Sequence, residues 1–299
     1  MTIGQLPKHT PYDGSSVPFA IGLQPFDLED WVEVDENLQR YISEKHRLLR
    51  EIPQQVFVAE NASERVQQET LDLFVDHLLQ RYPDTYSREK NSIVIKDVDD
   101  PVNLDDLSMP PLLSAAFLVQ EDLVIMRKSE QGWRLVSASV CFPSSWNLRE
   151  KFGKPMHEIH KPVPGYQEGT RNAAMIERIF DNLLVDQPVE RFNWSIYNDA
   201  NLYHDDRAGE HFPDNHNALD YFLRVERQTL RKLPESGDIL FTIRIHIDPF
   251  ELLSRRKNRR ELAAQFIETL ETSTSDQLFY KGLHTHREKL ISELRALEH

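Results

Sequence analysis

The 299-residue chain contains one cysteine, Cys141. That excludes an intramolecular disulfide, a CxxC redox pair and a four-cysteine zinc or iron–sulfur site within the chain. Such thiol usage fits a reducing, cytoplasmic setting. Basic residues are also few: 35 Lys and Arg against 49 Asp and Glu give a formal charge of -14. A general nucleic-acid or anionic-membrane binder needs a basic face, so neither class is expected. The acidic balance suits a cationic small substrate or a basic docking partner, and it also serves solubility. No apolar run reaches the roughly 18 residues that span a bilayer, and residues 1–14 lack the basic-then-apolar layout of a signal peptide.

Several chemical signatures are missing as well. There is no GxGxxG dinucleotide fingerprint, and Gly153-Lys154 lacks the upstream glycine of a phosphate loop. No serine sits in a GxSxG elbow. His157-Glu158-Ile159-His160 is one residue short of HExxH, whose histidines must stand a full helical turn apart.

What remains is an ordinary globular composition, 39% hydrophobic and 28% charged. Residues 1–26 read as an extended arm. From Asp27 to Arg50, Trp31, Val34, Leu38, Tyr41, Ile42 and Leu48 recur at helical spacing. A second helix is predicted from Asn61, where Asn61 and Glu64 match a capping box, to just before Pro83. Leu123–Met126 and Trp133–Phe142 read as a hairpin around residues 129–132, with Val136, Ala138 and Val140 on one face and Ser137, Ser139 and Cys141 on the other. A helix is expected over Thr170–Leu184, its core stripe being Ile176, Ile179, Phe180, Leu183 and Leu184. Strands follow at Phe192–Tyr197, Tyr221–Leu230 and Ile239–Ile247, the last alternating like a half-buried antiparallel strand. Beyond Pro249 the chain is charged and mostly helical.

This order lacks βαβ alternation and predicts an α+β fold. The organisation expected is an arm over 1–26, one α+β domain over 27–250 and a helical segment over 251–296. Residues 297–299 read as the start of a vector-derived histidine tag.

The densest run of candidate functional residues is Cys141–Tyr166. Proline disfavours helix in the residue before it, so a helix should stop near His160 against Pro162-Val163-Pro164. That would aim a histidine in a fixed direction, as an axial metal ligand requires; on the residues alone, helix-end packing is the better account of His157 and His160. The stretch from His204 to His216, with His211, Asp205, Asp206, Glu210 and Asp214, reads either as a metal loop or as a solvated acidic loop. If residues 221–230 form one strand, Leu223, Val225, Arg227 and Thr229 share a face, and Arg227 needs an anionic partner there. Arg224, Glu226 and Gln228 take the opposite face.

Two blocks carry a family resemblance. The first comprises Trp146, Lys151, Gly153, Ile159-His160 and Pro162-Val163-Pro164. The second is Leu223-Arg224-Val225-Glu226-Arg227-Gln228-Thr229-Leu230, followed by Leu233-Pro234 and by Ile239-Leu240-Phe241-Thr242-Ile243-Arg244. Gly22-Leu23 through Asp30-Trp31 and Asp35, with Arg191, Asn193 and Trp194, adds a weaker match. Together these resemble the haem-dependent oxidative N-demethylase family across most of residues 18–250.

The resemblance implies a PAS-like core that binds haem b and uses oxygen to remove a methyl group from a small secondary amine, such as dimethylamine, as formaldehyde. Electrons would come from a separate flavin and iron–sulfur reductase subunit. His160 becomes the expected iron ligand, with His246 as runner-up and Cys141 as a third choice. Arg224, Arg227, Lys151 and Trp146 are expected at the cofactor, with a propionate or an internal carboxylate as partner for Arg227. Glu226 is expected to accept the substrate ammonium, as the catalytic residue, unless a salt bridge claims it. Tyr166 and Trp194 are expected as pocket walls. The rival reading is a PAS-like haem or small-ligand sensor without turnover, and a third is a non-haem metal protein using His157, His160 and the His204–His216 loop.

Overall fold

The computed structural model describes residues 6–15, 19–144, 146–204 and 220–297. Its strands are β1 (Gln24–Pro25), β2 (Phe57–Ala59), β3 (Tyr86–Glu89), β4 (Ser92–Ile95), β5 (Val102–Asn103), β6 (Asp122–Ser129), β7 (Gly132–Ser139), β8 (Val189–Tyr197), β9 (Phe222–Lys232) and β10 (Ile239–Pro249). All but three of these form an antiparallel sheet in the order β1-β8-β9-β10-β6-β7-β2. A small sheet, β3-β4-β5, stands apart. The helices are α1 (Leu38–Glu51), α2 (Pro53–Val56), α3 (Glu64–Arg81), α4 (Pro111–Ala116), α5 (Leu148–Lys151), α6 (Met156–Ile159), α7 (Arg171–Asn182), α8 (Arg259–Thr272), α9 (Ser275–Tyr280) and α10 (Arg287–Ala296). Segregated helices on an antiparallel sheet make this an α+β fold.

Because residues directly opposite in an antiparallel pair share a face, the register fixes both surfaces of the sheet. Asn193, Glu226 and Ile245 lie in one row, and Phe192, Arg227 and Arg244 in the next. We call the two surfaces the Glu226 face and the Arg227 face.

The Arg227 face is covered in two parts. Leu123, Ile125 and Leu240 pack under α3 and α4, where Trp31 stacks on Phe74 at 4.4 Å. Further along, Trp194, Leu223 and Val225 pack against Phe266, Leu290 and Leu294 of the C-terminal helices. On the Glu226 face, Val124, Met126 and Leu230 meet Met156, Ile176 and Phe180 of the α6–α7 segment. Helix α1 lies beside the part of β10 beyond β6, and its Tyr41 hydroxyl donates to the Ile245 carbonyl at 2.8 Å.

The first helix begins later than its apolar spacing predicts. The amides of Glu33 and Asp35 donate to the side chains of Glu121 and Gln120, each at 3.1 Å, which withdraws this stretch from helical bonding. Trp31 and Val32 are buried ahead of α1 all the same. Strand β7 carries a bulge: Ile125 faces Ser137 while Met126 faces Leu135. The extra residue turns Val136 to the Arg227 face and leaves Ala138 and Val140 on the other, so the simple alternation expected over 136–140 does not hold. Strand β10 is central and buried on both faces, not half-buried. In α7, capped by Thr170, Ile176 and Phe180 are buried, but Leu184 lies beyond the helix and is 51% exposed.

Candidate functional site

His160 caps the C-terminal end of α6, just before the proline segment. Its Nδ1 lies 3.1 Å from the Met156 carbonyl. A carbonyl only accepts, so Nδ1 carries the proton and the lone pair resides on Nε2. No hydrogen bond to Nε2 is found among the described residues. Burial lowers the His160 pKa to about 4; the Met156 hydrogen bond opposes this, and the nearby charges of Arg191 and Lys151 reinforce it. The imidazole is therefore neutral at pH 7. A neutral ring oriented through Nδ1 with a free Nε2 is what ligation to haem iron requires.

The supports of His160 come from its own loop and from the arm. Lys151 Nζ donates to the Ile159 carbonyl at 2.7 Å, closing the turn that ends in His160. The Tyr166 ring lies 5.9 Å from the His160 ring, and its hydroxyl donates to the Phe19 carbonyl at 3.0 Å. Phe19 has a φ of 61°, a left-handed conformation costly for a bulky residue. The Tyr166 contact anchors that strained position. Trp146 is half-buried between the two apolar clusters of the Glu226 face.

That face also carries an unusual polar row. Across β8 and β9, Arg191 stands opposite Gln228, Asn193 opposite Glu226, and Ser195 opposite Arg224. Glu226 is 6% exposed and accepts a hydrogen bond from Gln228 Nε2 at 2.7 Å. Local burial of its hydroxyl and then the charge of Glu226 push Tyr280 upward, although the residue as a whole is 45% exposed. Lys281 is lowered to about 8 by burial, with Glu226 opposing.

Where β1 stops pairing, the edge of β8 opens onto a cleft of about 410 Å³ roofed by the arm and lined by His9, Phe19, Arg191, Asn193, Trp194 and Lys281, among others. A concavity of this size lined by convergent polar groups is a candidate small-molecule site.

The remaining residues singled out in the sequence have other surroundings. Arg224 is 1% exposed and donates to the Ser144 hydroxyl and to the carbonyls of Phe142, Asn201 and Leu202. Arg227 donates to Glu190 at 2.6 Å and to the carbonyls of Trp31 and Asp30. Its anionic partner in the structure is thus an internal carboxylate. Trp194 lies on the Arg227 face, 4.9 Å from Phe266, and reaches the cleft only around the strand edge. Cys141 is fully buried, and burial together with Asp122 pushes its thiol up, so it is not a thiolate. His204 Nε2 donates to the Asn201 carbonyl at 3.0 Å; the rest of the His204–His216 stretch lies outside the described residues.

His246 belongs to a different constellation. His9, Glu33 and His246 bring ligand-type atoms within 4.8 Å of one another. His246 Nε2 is 2.8 Å from Glu33, on the face opposite to Glu226. Yet Glu33 also receives Lys8 Nζ at 2.7 Å and stands 3.8 Å from Arg227. Arg227 and Arg244 are direct cross-strand neighbours, a repulsive pairing unless acids intervene. Glu33, Glu190 and Asp35 supply them. Burial would raise Glu33, but hydrogen bonds from His246 and His9 hold its carboxyl far below the ordinary range. This network is an ion-pair core that locks the arm to the sheet.

Sequence reasoning did not single out Lys281, Tyr280 or His9, which the fold brings to β8 from the two ends of the chain. Compared with known proteins, residues 22–291 match the family model described as haem-dependent oxidative N-demethylase, alpha subunit-like. No described helix is long and apolar enough to cross a membrane.

Proposed function

The chain belongs to the haem-dependent oxidative N-demethylase, alpha subunit-like family, and from that premise we propose that it is the haem-carrying subunit of an oxygenase that demethylates a small secondary amine such as dimethylamine. The observation that carries this reading is His160, neutral, oriented by the Met156 carbonyl and unclaimed at Nε2. The order of the five long strands, 2-1-5-4-3 when counted along the chain, supports a PAS-like core.

Bound haem b would supply oxygen activation for oxidising an N-methyl group, which departs as formaldehyde. His160 would hold the iron through Nε2, with Lys151 bracing its turn and Tyr166 walling its ring. Glu226, buried on the β9 row and accepting from the neutral amide of Gln228, would receive the substrate ammonium. Electrons would arrive from a separate flavin and iron–sulfur subunit, since one buried cysteine cannot ligate a cluster. A cytoplasmic site of action goes with this reading.

The test is an absorbance titration with haem. The wild type should develop a Soret band, and His160→Ala should abolish or shift it. With a competent reductase, dimethylamine should then drive formaldehyde release. Tight haem binding with no amine-dependent turnover would select the sensor instead, and absence of a Soret band would defeat both.

A further inference from the structure

Two cations, Arg191 and Lys281, line the cleft under the arm together with Asp13, and Glu226 acts on Lys281 from the sheet. Arg191 Nε is buried without a hydrogen-bond partner. Its guanidinium meets the Tyr166 hydroxyl, and no described carboxylate forms an ion pair with it. Lys281 Nζ donates to Asn193 Oδ1 at 3.2 Å and to the Trp194 carbonyl, and lies 4.4 Å from the Trp194 ring and 5.3 Å from the Phe19 ring. Those partners are all uncharged, and two donations leave one ammonium hydrogen unassigned. A half-buried guanidinium whose Nε is buried and a half-buried ammonium lining one cavity favour an anion that completes them.

The cleft is also adjacent to His160. Tyr166 touches the histidine with its ring and the Phe19 carbonyl with its hydroxyl, and Phe19 shares the cleft wall with Arg191 and Lys281. The other two arginines expected near the cofactor have their nitrogens engaged elsewhere, Arg227 by Glu190 and carbonyls, Arg224 by Ser144 and carbonyls. A guanidinium fork with a free Nε is suited to bidentate capture of a carboxylate.

We propose that Arg191, assisted by Lys281, is the anchor for the carboxylate side chains of the haem, which seats the macrocycle against the arm. This inference rests on the haem reading above. It assigns the carboxylate contact to the open edge of β8 and not to β9.

The experiment compares haem with haem dimethyl ester, whose carboxylates carry no charge, in Soret titrations of the full chain. The wild type should prefer haem by about tenfold to a hundredfold, the worth of one or two charge-assisted hydrogen bonds. Arg191→Gln and Lys281→Met should shrink that preference while keeping the spectrum of a histidine-ligated iron. Arg191→Lys, which retains charge without the fork, should keep part of it. An undiminished preference in Arg191→Gln would overturn the assignment while leaving the haem reading intact. Failure of the wild type to bind either compound would overturn both. Should the two compounds bind alike while inorganic phosphate raises the melting temperature of the wild type and not of Arg191→Gln, the cations serve a free anion and the haem assignment is wrong.

Discussion

Lys45 illustrates how single residues here are committed to structure before function. It is 0% exposed, and its ammonium donates to the carbonyls of Ala116, Val119 and Glu121. These carbonyls lie at the end of α4 and in the segment that leads into β6. Burial pushes the Lys45 pKa down, with Asp122 opposing. Lys45→Met keeps the volume and removes every donor, so three buried acceptors lose their partner. The expected cost is about 3 kcal/mol in denaturant unfolding; a loss below about 1 kcal/mol would mean that water replaces the ammonium. His77 supplies a pH dependence. Its ring packs edge-on against Trp31 at 5.4 Å, and its Nε2 is buried without a partner. Burial, then the charges of Arg231 and Arg81, lower its pKa to about 4. Between pH 4 and 6.5 the unfolded chain binds a proton at His77 that the folded chain refuses, so stability falls as the pH drops through this window. His77→Phe keeps a ring against Trp31 and should flatten the slope of stability against pH by up to about 1.4 kcal/mol per unit. Urea melts of the two proteins at pH 4.5, 5.5 and 7 would show it, and parallel slopes would contradict it.

At the scale of elements, the hinge between β7 and the His160 segment is set by one carboxylate. Asp122 opens β6 and accepts from the amides of Cys141 and Phe142 at 2.8 and 2.9 Å. Burial raises its pKa to about 6, with Lys45 opposing. Asp122→Ala would free two buried amides at the point where the chain leaves the sheet toward His160. We expect a loss of about 3 kcal/mol and weaker haem binding together; loss of stability with unchanged haem affinity would show that the hinge does not position the site. Elements of this kind were only partly legible in the sequence. Period-two and period-3.6 patterns located β6 to β10 and α7 because burial on a sheet or helix face imposes them locally. The proline after His160 marked the end of α6 for the same reason. The late start of α1 was not legible, since it depends on Gln120 and Glu121, distant residues that capture local amides. The capping box expected at Asn61 does not form: Asn61 lies in a 3-10 turn, and Ser63 precedes α3 and donates to the Glu60 carbonyl at 2.6 Å. The bulge at Val136 and the small β3-β4-β5 sheet likewise depend on partner strands. In the site, His160 was visible through its proline neighbours. Arg191 was visible only as a family position, and Lys281 not at all, because its partner Asn193 is 88 residues away along the chain.

The whole molecule is held by cross-links between chain ends and sheet. The arm inserts Tyr12, 1% exposed, where it stacks on Phe266 of α8 at 5.0 Å and meets the edge of Trp194 of β8 at 6.4 Å. Three distant segments therefore share one apolar cluster, and the same arm brings His9 to Glu33 and Phe19 to the cleft. Arg256 adds a bond to the Pro7 carbonyl. Such an arrangement makes the cleft roof a consequence of packing some distance from it. Removing the Tyr12 ring leaves a void among well-packed aromatics, at an expected cost of about 3 kcal/mol or more. Because the described residues of the arm hold no helix or long strand before β1, that loss should appear first as local release. Hydrogen exchange on Tyr12→Ala should quicken in residues 6–24 and in α8, while the amides of β6 and β10, covered by other clusters, stay protected. If the arm's protection were lost with no change in α8, the stacking on Phe266 would not be what ties the two ends together. If β6 and β10 opened as well, the ends and the sheet would form one cooperative unit, and the cleft could not open without unfolding the protein.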